Sequence, residues 1–183
     1  CIRDSSEAVK KERELLAPAE PYAQVIDTSN LSPNTLRDWV RRFIESPATS
    51  MTLAFESFAF KKGIPVAADL LFDVRNLPNP YYDPALRPFT GLDQPIIDFM
   101  QKQPEASAMI DDIERFIRRW LPSYEAQNRH YLTVAIGCTG GQHRSVYVAQ
   151  TLADRFHDVA GVVVRHRQVA RMKEVEASLQ QTA

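Results

Sequence analysis

Long apolar runs are missing from this chain. No stretch approaches the roughly 18–20 apolar residues that a membrane span needs. The opening Cys1-Ile-Arg-Asp-Ser-Ser lacks the charged-then-apolar layout of a signal peptide, so neither a spanning segment nor secretion is expected. Cysteine is scarce: Cys1 and Cys138 lie far apart, one at the terminus and one in a Gly loop, which argues against a structural disulfide and for a reduced thiol in the cytoplasm. Neither a pair nor a cluster suggests zinc, and no metal site is expected. Net charge is small as well. With 22 Lys and Arg against 23 Asp and Glu, giving -1, no global field draws the chain to nucleic acid or membrane, and any such role must rest on a local patch. An initiating Met is also absent, and the chain reads as a fragment.

What is present is enough for a globular core: 183 residues, 44% of them hydrophobic. Residues 5–17 have strong helix propensity, and Pro18 and Pro21 end that helix. The stretch 22–29 alternates like a short strand, and 32–45 opens with Ser32 as N-cap and Pro33 at the first helical position. After the linker "SPATS", residues 51–60 and 70–75 are strand-like. Residues 76–95 hold five of the twelve prolines, which predicts an irregular, ordered loop packed by Tyr81, Tyr82 and Phe89. Two amphipathic helices follow, the second presenting Ile110, Ile113, Phe116, Ile117, Trp120 and Leu121 to a core; Trp39 and Trp120 are both expected in core stripes. Strand 131–137, a loop, helix 143–157, strand 161–167 and a charged final helix at 168–180 complete the chain. The alternation predicts an α/β fold with a mixed, mostly parallel sheet flanked by helices.

The segment "TVAIGCTGGQHRSVYVAQTLADRF" carries the chemistry. A strand, a Gly-rich turn and a helix aim several backbone N–H groups and the positive end of a helix dipole at one point, which suits an anion. Gly140 and Gly141 let the main chain approach closely. Thr139 and Ser145 offer hydroxyls, His143 a further donor, and Arg144 a planar fork for phosphate oxygens. Cys138, Gly141 and Arg144 also spell C-x-x-G-x-x-R, followed by Ser145. That pattern looks like the loop of cysteine-dependent phosphatases, with Cys138 as nucleophile, although Gly137 stands where that family usually has His. Asp73 serves either reading, as acceptor for ligand protons or as the acid of a phosphatase, and an internal Asp73–Arg75 salt bridge is the plain alternative. His130 and His157, at a strand start and a helix end, are expected to be solvated or capping.

"GCTGGQHRSVYVAQTLADRF", with "FESFAFKKGIP", "FDVRNLPNPYYDPALRPFTGLD", "WLP", "YLTVAIG" and "VRHR", strongly resembles the C-terminal domain of the RNase adapter (RapZ) family of P-loop nucleotide-binding proteins over roughly residues 51–167. "ERELLAP" and "VIDTSNLSPNTLR" resemble the end of that family's N-terminal domain. The resemblance therefore implies a division into 1–48, a remnant of a P-loop domain, and 49–183, a ligand- and RNA-binding domain. No G-x-x-x-x-G-K-[ST] occurs, so the ATP or GTP cradle is absent from this chain, which is expected to hold no cofactor and to be non-enzymatic by itself. The resemblance also implies binding of a phosphorylated amino sugar, glucosamine-6-phosphate. The implied ligand residues are Asp73, Arg75, Cys138, Thr139, Gly140, His143 and Arg144, and Tyr81, Gly141 and Ser145 complete the candidate ligand-binding set. Enterobacterial members have His at the positions of Lys62 and Tyr81. Presentation of small regulatory RNA to an RNase E-type endonuclease and homo-oligomer formation are implied too. Arg165, Arg167, Arg171 and Lys173, with no acidic group among them, are the candidate RNA contacts.

Overall fold

The computed structural model describes residues 2–18, 28, 36, 40, 51–127, 129, 131–159 and 161–169. Most of the expected strand at 22–29 and helix at 32–45, with Trp39, lie outside the described residues. So do His130 and the final helix beyond residue 169. Helix α1, Ile2–Leu16, is exposed from residue 7 onward.

Among the described residues the sheet has four strands, β1 (Thr52–Ala59), β2 (Leu70–Asp73), β3 (Tyr131–Cys138) and β4 (Val162–His166), in the order β2-β3-β1-β4. Every pairing among them is parallel. Such a sheet is buried on both faces, and all eight residues of β1 are buried. The register sets Phe55 opposite Val134 and Val164, and Leu53 opposite Leu132 and Val162. These side chains share the face on which α2 (Gln94–Gln101), α3 (Pro104–Ala126) and α4 (Arg144–Arg155) build the core. Ile96 and Met100 of α2, Ile110, Ile113 and Ile117 of α3, and Leu152 of α4 are fully or almost fully buried there. Each such side chain contributes about 1.5–3 kcal/mol of transfer free energy. Phe55 and Phe156 meet with ring centroids 5.6 Å apart.

The expected stripe of α3 is narrower than its sequence suggests. Phe116 and Trp120 are 41% and 45% exposed. Ile110, Ile113, Ile117 and Leu121 already fill the helix face toward the sheet, so the next positions round lie at its margin, where Phe116 meets Phe72 edge-on with ring centroids 5.8 Å apart. The middle of α3 and the C-terminal end of α4 are clamped together by charge. Arg118 reaches Glu114 at 2.8 Å, Asp158 at 2.9 Å and the Arg155 carbonyl at 2.9 Å, while Arg155 reaches Asp111 at 2.6 Å.

The Pro-rich segment between β2 and α2 keeps one regular turn, the 3-10 turn Pro80–Tyr82. Its expected aromatic packing is not what holds it: Tyr81, Tyr82 and Phe89 are exposed, whereas Leu77, Pro80 and Gly91 are buried. Short polar side chains shape it instead. Asp83 Oδ1 accepts from the Ala85 N–H at 2.9 Å, and Asp93 Oδ2 accepts from both the N–H and the hydroxyl of Thr90 at 2.6 and 2.8 Å.

The strand order locates the business end. From β1 the chain passes across β3 to reach β2, and from β3 it passes across β1 to reach β4. At the carboxyl ends of the neighbours β1 and β3 the chain therefore departs in opposite directions, and open α/β sheets place ligands in the crevice this creates.

Candidate functional site

The loop at that crevice runs from Cys138, the last residue of β3, to Arg144, the first of α4. It turns at Gly141, whose φ of +68° only glycine adopts without strain; a Cβ there would lie 2.5 Å from Gln168 Oε1 and 3.0 Å from the Ala59 nitrogen. Beside Gly140 the space is open among the described residues, none of which comes within 4 Å of where a Cβ would stand.

Backbone accounting shows what the loop offers. The Gly141 N–H donates to Cys138 Sγ at 3.2 Å, and Ser145 Oγ lies 3.1 Å from the same sulfur. Among the described residues no acceptor takes the N–H groups of Gly140, Gln142, His143, Arg144 or Ser145. The carbonyls, by contrast, are used: Thr139 accepts from the Lys61 N–H, Gln142 from Gly91 and His143 from Tyr147. A run of N–H groups at a helix start, with the dipole behind them, is an anion-binding arrangement.

Arg144 is 5% exposed, and its Nη1 donates to the carbonyls of Arg75 at 2.7 Å and Leu77 at 3.0 Å. One nitrogen of the expected phosphate fork thus holds the segment after β2 against the start of α4. His143 is equally buried. Burial pushes its imidazole below the ordinary histidine value, the nearby carbonyls of Arg87 and Phe89 oppose that, and the charge of Arg144 adds to it. Among the described residues its Nε2 has no partner, and Gln168 Oε1, against Gly141, has none there either. Buried polar atoms of this kind, two of them beside one loop, mark a place where further hydrogen bonding is on offer.

Asp73 and Arg75 form the salt bridge. Arg75 Nε and Nη2 donate to the Asp73 carboxylate at 2.7–3.0 Å, and the Arg75 N–H donates to Oδ1 at 2.9 Å. Chiefly through the Arg75 hydrogen bonds, the Asp73 carboxyl is held below the usual carboxylate range, so it is ionised near neutral pH. The Arg75 guanidinium also lies 4.0 Å above the Phe60 ring. Tyr81 is half exposed under the Arg87 guanidinium, 4.7 Å from its ring centroid.

The basic cluster is divided. Arg165 and Arg167 do not lie on an open surface: their side chains are 9% and 13% exposed and approach Glu56 Oε1 at 3.7 and 3.3 Å, because the β1–β4 register sets Glu56 against Arg165. Arg171 and Lys173 lie outside the described residues. His157, as expected at a helix end, sets Nδ1 3.1 Å from the Asp154 carbonyl. Two residues at the site were not singled out by sequence. Gln142 carries only a neutral amide in a loop full of more conspicuous groups, and Gln168 follows a strand with nothing to connect it to residue 141.

A family model, the RapZ C-terminal domain, matches residues 51–170. The chain belongs to the RapZ C-terminal domain family. Among its relatives, a nucleotide-binding protein of Burkholderia multivorans is 60% identical over 161 residues, covering 88% of this chain and 53% of the relative. A nucleotide-binding protein of Paraburkholderia xenovorans is 59% identical over 166 residues, covering 91% and 56%, and one of Cupriavidus pinatubonensis is 58% identical over 164 residues, covering 90% and 56%. The chain thus spans about half the length of the curated relatives it matches. The loop from Cys138 to Ser145 lies inside the matched RapZ region, as do Asp73, Arg75 and Tyr81. Among the described residues no helix of this RapZ-type chain is long and apolar enough to cross a membrane.

Proposed function

We propose that this domain binds a small phosphorylated metabolite, with glucosamine-6-phosphate the leading candidate, in the loop from Cys138 to Ser145. The observation that supports this best is the set of N–H groups at Gly140 and Gln142 to Ser145 that lack an acceptor among the described residues, placed at the switch point of the sheet. These amides would hold the phosphate, with Nε and Nη2 of Arg144 turned to it while Nη1 keeps its loop contacts. The ionised Asp73 suits the ammonium or a hydroxyl of an amino sugar, sharing its oxygens with Arg75. In the whole protein the domain would act as the metabolite-sensing part of an oligomeric, cytoplasmic RNase adapter. That protein would bind ATP or GTP elsewhere and present small regulatory RNA to an RNase E-type endonuclease. RNA contact would then fall to Arg171 and Lys173 more than to Arg165 and Arg167, which are largely buried and share the one carboxylate of Glu56. Calorimetry with glucosamine-6-phosphate, glucosamine and inorganic phosphate tests the reading: both phosphates bind, the free sugar does not, and Arg144→Ala weakens both. Binding untouched by Arg144→Ala, or binding of the free sugar alone, contradicts it.

One observation favours a second reading, a cysteine phosphatase. Cys138 Sγ accepts the Gly141 N–H and lies 3.1 Å from the Ser145 hydroxyl, at the base of the loop where a phosphatase nucleophile would stand. The same structure leaves Asp73 ionised and so unable to protonate a leaving group. Turnover of an aryl phosphate that vanishes in Cys138→Ser is required by this reading; no turnover near neutral pH eliminates it.

A further inference from the structure

We infer that Gln142 and Arg87 form a positioning relay that sets Tyr81 relative to the phosphate cradle, and so determines which phosphorylated compound the site prefers. The inference rests on the reading of the loop as a phosphate cradle. Gln142 lies in that loop with its own N–H among those lacking an acceptor among the described residues, yet its side-chain Nε2 and its carbonyl reach across to the Pro-rich segment. Nε2 donates to the carbonyls of Arg87 at 3.2 Å and Phe89 at 2.8 Å, and the Gln142 carbonyl accepts the Gly91 N–H at 2.8 Å. The seat is tight: a Cβ on Gly91 would run into the His143 carbonyl and the Tyr147 nitrogen.

Arg87 carries the connection onward. Its carbonyl is one that Gln142 holds, and its guanidinium turns back on Tyr81, with Nε donating to the Tyr81 carbonyl at 3.2 Å and the charge 4.7 Å from the ring centroid. Arg144 ties down the start of the same segment through the carbonyls of Arg75 and Leu77. Two cradle residues, Gln142 and Arg144, thus anchor both ends of a segment that has no sheet ladder of its own to fix it. Inorganic phosphate meets only the cradle. A sugar phosphate extends beyond it, toward the segment that carries Tyr81, whose half-exposed ring and hydroxyl present a stacking face and a polar tip. The relay therefore acts on the sugar and not on the phosphate.

The test uses calorimetry on the wild type, Gln142→Ala and Arg87→Ala with glucosamine-6-phosphate and with inorganic phosphate, together with hydrogen exchange over residues 78–92. Losing the two Nε2 hydrogen bonds should lower the preference for the sugar phosphate over inorganic phosphate by about tenfold in Gln142→Ala, with exchange across 78–92 accelerated. Arg87→Ala, which leaves the cradle alone, should keep inorganic phosphate binding and lower the same ratio. An unchanged ratio in both variants overturns the relay. A fallen ratio with unchanged exchange would mean direct contact with the ligand and overturns it too, as would a proportionate loss of both ligands in Gln142→Ala. A wild-type protein that binds neither compound overturns the cradle reading itself, and the relay with it.

Discussion

Gly140 and Gly141 are neighbours with opposite surroundings, and replacing each by Ala separates folding from binding. At Gly141 an Ala must adopt φ near +68°, which costs about 1 kcal/mol. Its Cβ must also fit 2.5 Å from Gln168 Oε1 and 3.0 Å from the Ala59 nitrogen and Cβ. The Gln168 amide can swing away, but the Ala59 main chain belongs to β1 and cannot, so an overpacking cost of about 1–3 kcal/mol adds to the first. Gly141→Ala should therefore lose about 2–4 kcal/mol, a fall in Tm of about 5–15 °C for a domain of this size. Gly140→Ala meets no atom within 4 Å and should hold stability within about 1 kcal/mol of the parent. Its methyl enters the open space in front of the loop, so phosphate binding should weaken. Thermal and urea unfolding, with calorimetry on the folded variants, give the answer. Equal stability losses in the two variants, or a Gly140→Ala protein that binds phosphate as the parent does, would refute this account of the turn.

Arg144→Ala removes a buried, charged donor from two carbonyls and should destabilise by about 2–3 kcal/mol in urea unfolding, besides weakening phosphate binding. Phe55→Ala opens a fully buried site against Phe156 and should cost about 3–5 kcal/mol. For His143, burial lowers the folded pKa beneath its ordinary 6.5. Below that value the unfolded chain binds a proton that the folded one does not, so stability falls as pH drops from there toward the folded pKa. Unfolding curves across that window should show His143→Gln flattening this slope, and an identical slope in the variant contradicts the assignment. Asp73 has the opposite charge type: its folded pKa is depressed, so its contribution is present above the unfolded value and is lost as pH falls through the folded one. Asp73→Asn should remove that acid-limb loss; since the pair is well exposed, the effect on stability is small.

The strand, Gly loop and helix were legible because each carries its own local signal: an apolar run, a glycine pair and a 3.6-residue apolar stripe. Gly140 and Gly141 could be read as loop glycines, but not as one open and one enclosed, since Gln168 and Ala59 approach from distant parts of the chain. The same holds for Arg144. Its residue type suggested a phosphate fork, yet the carbonyls it meets come from residues about 70 positions earlier. Parallel strands conceal their order, because any crossover can span one neighbour or more; the sequence β2-β3-β1-β4, and with it the placing of Glu56 beside Arg165, follows only from the assembled sheet. Gln142 stayed hidden for a related reason. Its partners are main-chain carbonyls, which leave no mark in an amino-acid sequence.

Amide-resolved titration of the protein with glucosamine-6-phosphate tests the central claim most directly. The N–H resonances of Gly140, Gln142, His143, Arg144 and Ser145 should shift together and saturate with one affinity, while that of Gly141, already committed to sulfur, moves least. Resonances at these positions that stay put while ligand binds elsewhere, or that ignore the ligand altogether, would contradict it.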